Sequence, residues 1–222
     1  MWRDALVVSG KDLRVELQSR VATLQVAPYA ILVLLLFGFA FDQNHSLLTS
    51  AAPGLFWVAV LLCSLLAVQR SYAIEAADGA RDGLRMSGLD PAGIFLGKAA
   101  AVAAELLALE VLLGFGVVVL FGTQLHDPAL LVLSALAATV GLAAAGTVYG
   151  MIASGLRVRE TLLPLLVLPV VAPVLLAATQ CWMAALGNSS TDGWKWLSLL
   201  ASFGVIYVAL GVLSFSILME ES

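Results

Sequence analysis

Residues 51–69 read AAPGLFWVAVLLCSLLAVQ, carry no charged side chain and are followed at once by Arg70. A helix needs about 20 apolar residues to cross the ~30 Å hydrocarbon core of a bilayer, so this stretch predicts a transmembrane span. Five other stretches are also long and predominantly apolar. The six predicted spans are Leu24–Phe41, Ala51–Gln69, Ala99–Phe121, Ala129–Ala153, Leu162–Leu186 and Trp196–Leu218. We therefore expect an all-α membrane protein with six transmembrane helices.

The composition agrees with a chain that is solvated mainly by membrane lipids. Hydrophobic residues make up 61% of the 222 residues and charged residues 12%, and the mean hydropathy is +1.01. Soluble domains are about 45–50% apolar and about 25% charged. Six spans leave no room for a separate extramembrane domain, so residues 1–222 are expected to form a single transmembrane domain. Nothing in this composition favours a nucleic-acid partner.

Positive charge alternates along the chain and predicts the topology. Ten of the eleven Lys and Arg residues fall before span one, between spans two and three, or between spans four and five: Arg3, Lys11, Arg14, Arg20, Arg70, Arg81, Arg85, Lys98, Arg157 and Arg159. Short loops rich in Lys and Arg stay on the cytoplasmic side. We therefore expect both termini in the cytoplasm and one large cytoplasmic loop over residues 70–98.

Residues 2–21 predict an amphipathic helix that precedes the first span. One face carries Trp2, Leu6, Leu13, Leu17 and Val21, and the other carries Asp4, Lys11, Asp12 and Arg14. A helix of this kind can lie flat in the cytoplasmic interface with its cationic side chains at the headgroups. The alternative is a cytoplasmic extension of span one.

Two acidic residues, Glu105 and Glu110, lie within the predicted third span. An ionisable side chain in a span is costly and is a functional candidate for that reason. Five residues along a helix turn the side chain through about 500°, so these two should face different directions. They are either part of a proton or substrate relay, or buried carboxyls that are hydrogen-bonded or protonated within the bundle.

Small residues and prolines set the expected helix packing. Gly146 and Gly150 in span four are spaced to let two helix backbones approach closely. We interpret them as an intramolecular helix contact, with a dimer interface as the alternative. Span five contains Pro164, Pro169 and Pro173. Each proline removes a backbone hydrogen bond, so this span should be bent or broken.

No motif for ATP hydrolysis is present. Residues 93–98 read GIFLGK, whereas a phosphate-binding loop has the pattern GxxxxGK followed by Ser or Thr. Here Ala99 follows the lysine, and the segment opens a span. We therefore expect no catalytic residue, no metal site and no directly bound cofactor. His45 and His126 are interpreted as exposed outer-side residues, with a haem or metal site as the alternative.

The loop between spans two and three carries a family resemblance. Glu75-x-x-Asp78-Gly79, followed by Leu84, Pro91 and Lys98, resembles the loop of ABC-2-type permeases. Residues 52–67, this loop and residues 166–179 together resemble the B subunits of cytochrome c maturation ABC complexes, the haem exporter protein B family. The resemblance covers nearly the whole chain.

This resemblance implies a permease subunit that works with a separate cytoplasmic ABC ATPase in the bacterial inner membrane. ATP would be hydrolysed by that partner, and the output would be haem export or release of a haem-loaded chaperone on the periplasmic side. A haem-handling membrane subunit and a small helper subunit would complete the complex. The ATPase would dock on the loop, and the residues expected to form the docking site are Glu75, Asp78, Gly79, Asp82, Leu84, Arg85 and Met86.

Other interpretations of the same residues remain open. The chain could be an ion-coupled secondary transporter that acts without an ATPase and uses Glu110 as its proton site. It could also be a passive assembly scaffold, and the loop could be a solvated segment with no partner. The long charged loop favours the permease, because a secondary transporter needs only a tight turn there.

Overall fold

The computed structural model describes residues 1–19, 26–41, 45–77, 88–122, 125–154 and 159–221. Within these ranges the chain is helical and contains no β-strand. The helices, in chain order, are α1 Trp2–Ser19, α2 Ala27–Phe41, α3 His45–Ala77, α4 Pro91–Phe121, α5 Pro128–Ser154, α6 Arg159–Ala185 and α7 Gly193–Glu221. The all-α prediction is confirmed for the described part of the chain.

Five of the helices are long and apolar enough to cross a membrane. These segments are Ser46–Ala73, Pro91–Leu120, Pro128–Ala153, Leu162–Ala185 and Gly193–Leu218. They correspond to predicted spans two to six, and they indicate a multi-pass membrane protein. The predicted first span appears as α2, which has 15 residues and so measures about 22 Å over its described length. The six-span count and the sidedness of the termini therefore stay predictions.

The helices on either side of the predicted loop are longer than expected. Helix α3 continues to Ala77 and α4 begins at Pro91, so Arg70 and Lys98 both lie inside helices. The prediction of a loop over residues 70–98 was wrong at both ends, because single charged residues do not stop a helix that continues beyond the apolar stretch. Residues 74–77 extend α3, and residues 78–87 lie outside the described residues.

Helix α5 occupies the centre of the bundle and packs against α3, α4, α6 and α7. Its small residues make this possible. A Cβ atom at Gly146 would lie 2.7 Å from Val68 Cγ2, and one at Gly150 would lie 2.7 Å from Tyr72 Cδ2. The predicted intramolecular role of this glycine pair is confirmed, because both glycines face α3 of the same chain.

Helix α6 contains all three prolines of predicted span five, yet it runs continuously from Arg159 to Ala185. Of the two predicted outcomes, bent or broken, the described helix excludes the break. Its neighbour α7 contributes a side-chain hydrogen bond beside the central proline, where the Tyr207 hydroxyl donates to the Val170 carbonyl at 2.6 Å. This bond joins α6 to α7.

Candidate functional site

All but one of the predicted docking residues lie within the connection between α3 and α4, residues 78–90. Glu75 belongs to the last turn of α3, and its side chain lies outside the described part of the chain, as do Asp78, Gly79, Asp82, Leu84, Arg85 and Met86. The docking site therefore stays a prediction. What the structure describes are the two helices that hold this connection, which we call its stems.

The connection ends in a well-defined helix start. Gly88 has a φ of 67°, a left-handed conformation that glycine adopts without steric cost. Asp90 is the N-cap of α4 and its side chain accepts a hydrogen bond from the Ala92 N–H at 3.0 Å. Proline at the first helical position fits the same pattern.

Helix α1 packs directly on the first two turns of α4, and two glycines make the contact possible. A Cβ atom at Gly93 would lie 2.7 Å from the Met1 carbonyl oxygen, and one at Gly97 would lie 2.7 Å from the Ala5 carbonyl oxygen and 2.7 Å from Val8 Cβ. Small residues spaced in this way allow close backbone approach. The GIFLGK segment is therefore a packing seam for α1.

Helix α1 has one face against α4 and an apolar face that the bundle does not cover. Ala5 and Val8 are buried against α4, while Trp2, Leu6 and Leu17 are exposed. Asp12 lies beside Lys98 of α4. The interfacial position of this helix stays a prediction.

Two ion pairs connect α1 to both stems. Asp12 Oδ2 lies 3.7 Å from Lys98 Nζ on α4, and Glu16 Oε2 lies 3.5 Å from Arg70 Nε on α3. The Lys98 side chain is only 3% exposed. A buried charge needs compensation, so Asp12 is an essential neighbour of Lys98.

Lys98 also connects α1 with the central helix through an aromatic side chain. Its ammonium group lies 4.9 Å from the centroid of the Tyr72 ring, which is within range for a cation–π contact. The Tyr72 hydroxyl donates a hydrogen bond to the Thr147 carbonyl at 2.7 Å. A continuous chain of contacts thus runs from α1 through α4 and α3 to α5.

The first turn of α1 is held against the start of α4 by polar contacts. The Met1 amino group lies 3.0 Å from Asp4 Oδ2, and the Asp90 N–H donates to the same oxygen at 3.4 Å. The hydrogen bond from the Met1 amino group lowers the pKa of Asp4 below its usual value. Asp4 therefore stays ionised, and keeps its contact with the Met1 amino group, over a wider pH range.

Glu105 and Glu110 face different neighbours, as predicted. Glu105 is half-buried and lies within electrostatic range of Glu16 and Arg70, so it belongs with the α1 ion pairs. Helix α4 begins 14 residues before Glu105, at Pro91, which puts Glu105 about four turns along the helix.

Glu110 is only 5% exposed and pairs with Thr139 on α5. Thr139 Oγ1 lies 2.6 Å from Glu110 Oε1 and 2.8 Å from the Ala135 carbonyl oxygen. A hydroxyl carries one proton and can fully donate to only one of them. The Thr139 hydroxyl donates to Glu110 Oε1, and the Ala135 carbonyl oxygen shares the same proton. This geometry is a buried polar tie between α4 and α5.

The opposite end of the bundle carries the histidines. The His126 N–H donates to the Ala185 carbonyl at 3.0 Å, and the exposed His126 ring packs beside Gly187. His45 begins α3, and its side chain lies outside the described part of the chain. Among the described residues, His, Cys, Asp and Glu side chains form no group of three or more that could hold a metal ion.

Sequence reasoning missed Asp12, Glu16 and Arg70 as interacting residues. Asp12 and Glu16 are four residues apart on one helix, which is a readable signal that they share a face. Their partners could not be identified, because Arg70 and Lys98 are distant in sequence and meet α1 only after the bundle forms. The resulting arrangement is a network of ion pairs around the stems of the α3–α4 connection.

Comparisons with known proteins agree with this architecture. The family model described as CcmB protein matches residues 3–221. The chain is 32% identical over 182 residues to heme exporter protein B of Pseudomonas aeruginosa, covering 78% of each chain. It is 31% identical over 189 residues to heme exporter protein B of Paracoccus denitrificans, covering 82% of this chain and 83% of the relative. The Haemophilus influenzae protein of the same name is 28% identical over 194 residues, covering 81% of each chain. This chain belongs to the CcmB protein family.

Proposed function

We propose that this chain is the membrane permease subunit of an ABC-type complex that delivers haem for c-type cytochrome biogenesis in the bacterial inner membrane. Membership of the CcmB family and the names of the relatives, heme exporter protein B, support haem as the cargo. A separate cytoplasmic ATPase supplies the energy. The output is either haem export or release of a haem-loaded chaperone on the periplasmic side, with a haem-handling membrane subunit and a small helper subunit as further partners.

One observation carries the coupling part of this proposal. The α3–α4 connection, residues 78–90, joins two long helices whose adjoining ends are tied to α1 by ion pairs. A partner that moves this connection therefore also moves two spans and α1. Within the connection, Leu84 and Met86 supply apolar contact, and Asp82 and Arg85 supply charge-assisted hydrogen bonds to the ATPase.

The test is a pull-down of the tagged full-length chain in mild detergent, with ATPase activity measured on the purified material. We expect an ATPase to co-purify with the wild type and to be lost with Leu84→Asp, because a charge there removes the apolar contact. Leu84→Met is the matched control, since it keeps an apolar side chain of similar volume, and it should retain the ATPase. Retention of the ATPase by Leu84→Asp would place the docking site elsewhere.

The ion-coupled transporter is a second candidate because Glu110 is a buried carboxyl within a candidate span. It predicts a chain that purifies without an ATPase and loses transport in the Glu110→Gln variant. The permease predicts the reverse, because the amide of Glu110→Gln can still hydrogen-bond to Thr139 and no proton needs to be exchanged there. Measuring haem delivery by Glu110→Gln in cells that depend on this chain separates the two candidates.

A further inference from the structure

Asp12 and Glu16 on α1 contact cations that lie at matching positions on the two stems. Arg70 lies seven residues before Ala77, the last residue of α3, and Lys98 lies seven residues after Pro91, the first residue of α4. At 1.5 Å per residue, each cation is about 10 Å from its end of the α3–α4 connection. Helix α1 therefore bridges the two stems at the same level.

The two halves of this bridge are built differently. On the α4 side, α1 is seated by backbone contacts at Gly93 and Gly97, where no room exists for even a methyl group. On the α3 side, the Glu16–Arg70 pair spans 3.5 Å, which is longer than the 2.7–2.9 Å of a strong charge-assisted hydrogen bond. Both of its side chains are partly exposed, at 18% and 26%. Helices α1 and α4 therefore form one unit, and the pair with α3 can open without unpacking them.

We propose that Glu16 and Arg70 form an electrostatic latch between the α1–α4 unit and α3, and that this latch sets the separation of the two stems. Both are positioning residues: they touch neither cargo nor nucleotide, and they act through the helices that hold the α3–α4 connection. When the latch is closed, displacement of the connection moves α3 and α4 together. When it is open, the stems move independently and the motion is not passed to the bundle.

The charges that surround the latch fit this role. Glu105 on α4 lies within electrostatic range of both Glu16 and Arg70, so Arg70 faces one acid from α1 and another from α4. Lys98 and Asp12 form the neighbouring pair, and Lys98 contacts Tyr72, which lies two residues beyond Arg70 on α3. Reversing one member of the latch places like charges together and should separate the stems. Reversing both members restores the attraction between α1 and α3.

The latch is tested by charge exchange, using the full chain with its co-purifying partners. The variants are Glu16→Arg, Arg70→Glu and the double exchange, and Asp192→Asn is the matched control. Asp192 pairs with Lys195 at 3.6 Å at the far end of the bundle, so its loss removes an ion pair that is not part of the latch. The first readout is the ratio of haem delivery to ATP hydrolysis. We expect a loss of at least tenfold in each single variant, recovery in the double exchange, and no change in the control.

The second readout measures the stems directly and does not depend on function. Spin labels at Leu66→Cys on α3 and Ala100→Cys on α4, both exposed positions, report the stem separation in a chain with Cys63→Ala and Cys181→Ala. Each single variant should widen the distance distribution, and the double exchange should narrow it again. Unchanged distances in the single variants, or single-variant losses that the double exchange does not reverse, would overturn the latch.

The latch rests on the proposed function, because coupling needs a partner at the α3–α4 connection. The two can nevertheless fail separately. If no ATPase co-purifies with the wild-type chain, the proposed function fails whatever the stem distances show. If an ATPase co-purifies and the stem distances do not change in the charge-reversal variants, the proposed function stands and the latch is wrong.

Discussion

Replacing Gly97 with alanine should lift α1 from the bundle. A Cβ atom there would lie 2.7 Å from the Ala5 carbonyl oxygen, 2.7 Å from Val8 Cβ and 3.0 Å from Val8 Cγ1. Carbon atoms pack best about 3.5–4.0 Å apart, so α1 would have to retreat by roughly 1 Å. The Ala5 carbonyl is backbone and cannot rotate out of the way. The clash therefore has to be relieved by moving the helix.

The expected size of the effect follows from two opposing terms. Overpacking by added methyl groups costs about 1–3 kcal/mol, and the better helix propensity of alanine returns up to about 1 kcal/mol. The net cost should be about 1–2 kcal/mol, because the clash involves three atoms. A change of that size multiplies the open population by roughly 5–30.

Thiol labelling at the buried face of α1 measures this opening. Val8 is 1% exposed, so a cysteine at that position in a Cys63→Ala, Cys181→Ala chain reacts only when α1 lifts. Adding Gly97→Ala should raise the labelling rate roughly 5–30-fold, in proportion to the open population. Gly10→Ala is the control, because a Cβ atom there has nothing within 4 Å, and it should leave the rate unchanged or lower. Equal labelling rates in the chains with and without Gly97→Ala would refute the packing of α1 on α4.

Two further predictions concern the centre of the bundle, and both use a thiol-reactive dye that reports thermal unfolding through the buried Cys63 and Cys181. Gly150→Ala should destabilise the fold by about 1–3 kcal/mol, since the new methyl would collide with Tyr72 and Val68. Gly54→Ala is the control and should not destabilise the fold, because the space around Gly54 is open. Equal melting curves for the two variants would contradict the packing of α3 on α5. Thr139→Val should cost about 1–3 kcal/mol because it leaves the buried Glu110 carboxyl without its hydroxyl partner. Glu110→Gln, which keeps a hydrogen-bonding amide, should cost less, and the reverse order would argue against the α4–α5 tie.

Spans two to six were predictable because each depends on a local property, the length of an apolar stretch. The ends of α3 and α4 were not, because Arg70 and Lys98 look like loop residues when only hydropathy is considered. Both are tolerated inside helices since each meets an acid on α1. A hydropathy scale includes the free-energy cost of placing a charged side chain in an apolar environment. It does not include the ion-pair partner that offsets this cost.

The glycines show the same division between local pattern and tertiary partner. Gly146 and Gly150 were correctly interpreted as a helix contact from their spacing alone. Gly93 and Gly97 have that spacing too, and we used them only to reject a phosphate-binding loop. Their role depends on α1, which lies far earlier in the chain. The spacing therefore predicts a close helix contact but does not indicate which helix makes it.

The distribution of charge within the bundle bears on how such a protein could transmit force. Charged side chains in a bilayer are costly unless they are paired or solvated. Among the described residues, Asp12, Glu16, Arg70, Lys98 and Glu105 gather around α1 and the stems, whereas Glu110 is tied to Thr139 deeper in the bundle. A displacement at the α3–α4 connection therefore first meets a group of ion pairs that can rearrange, and then a tightly packed core around α5. That order fits a device in which the ion pairs select which helices move together and the packed helices carry the movement onward.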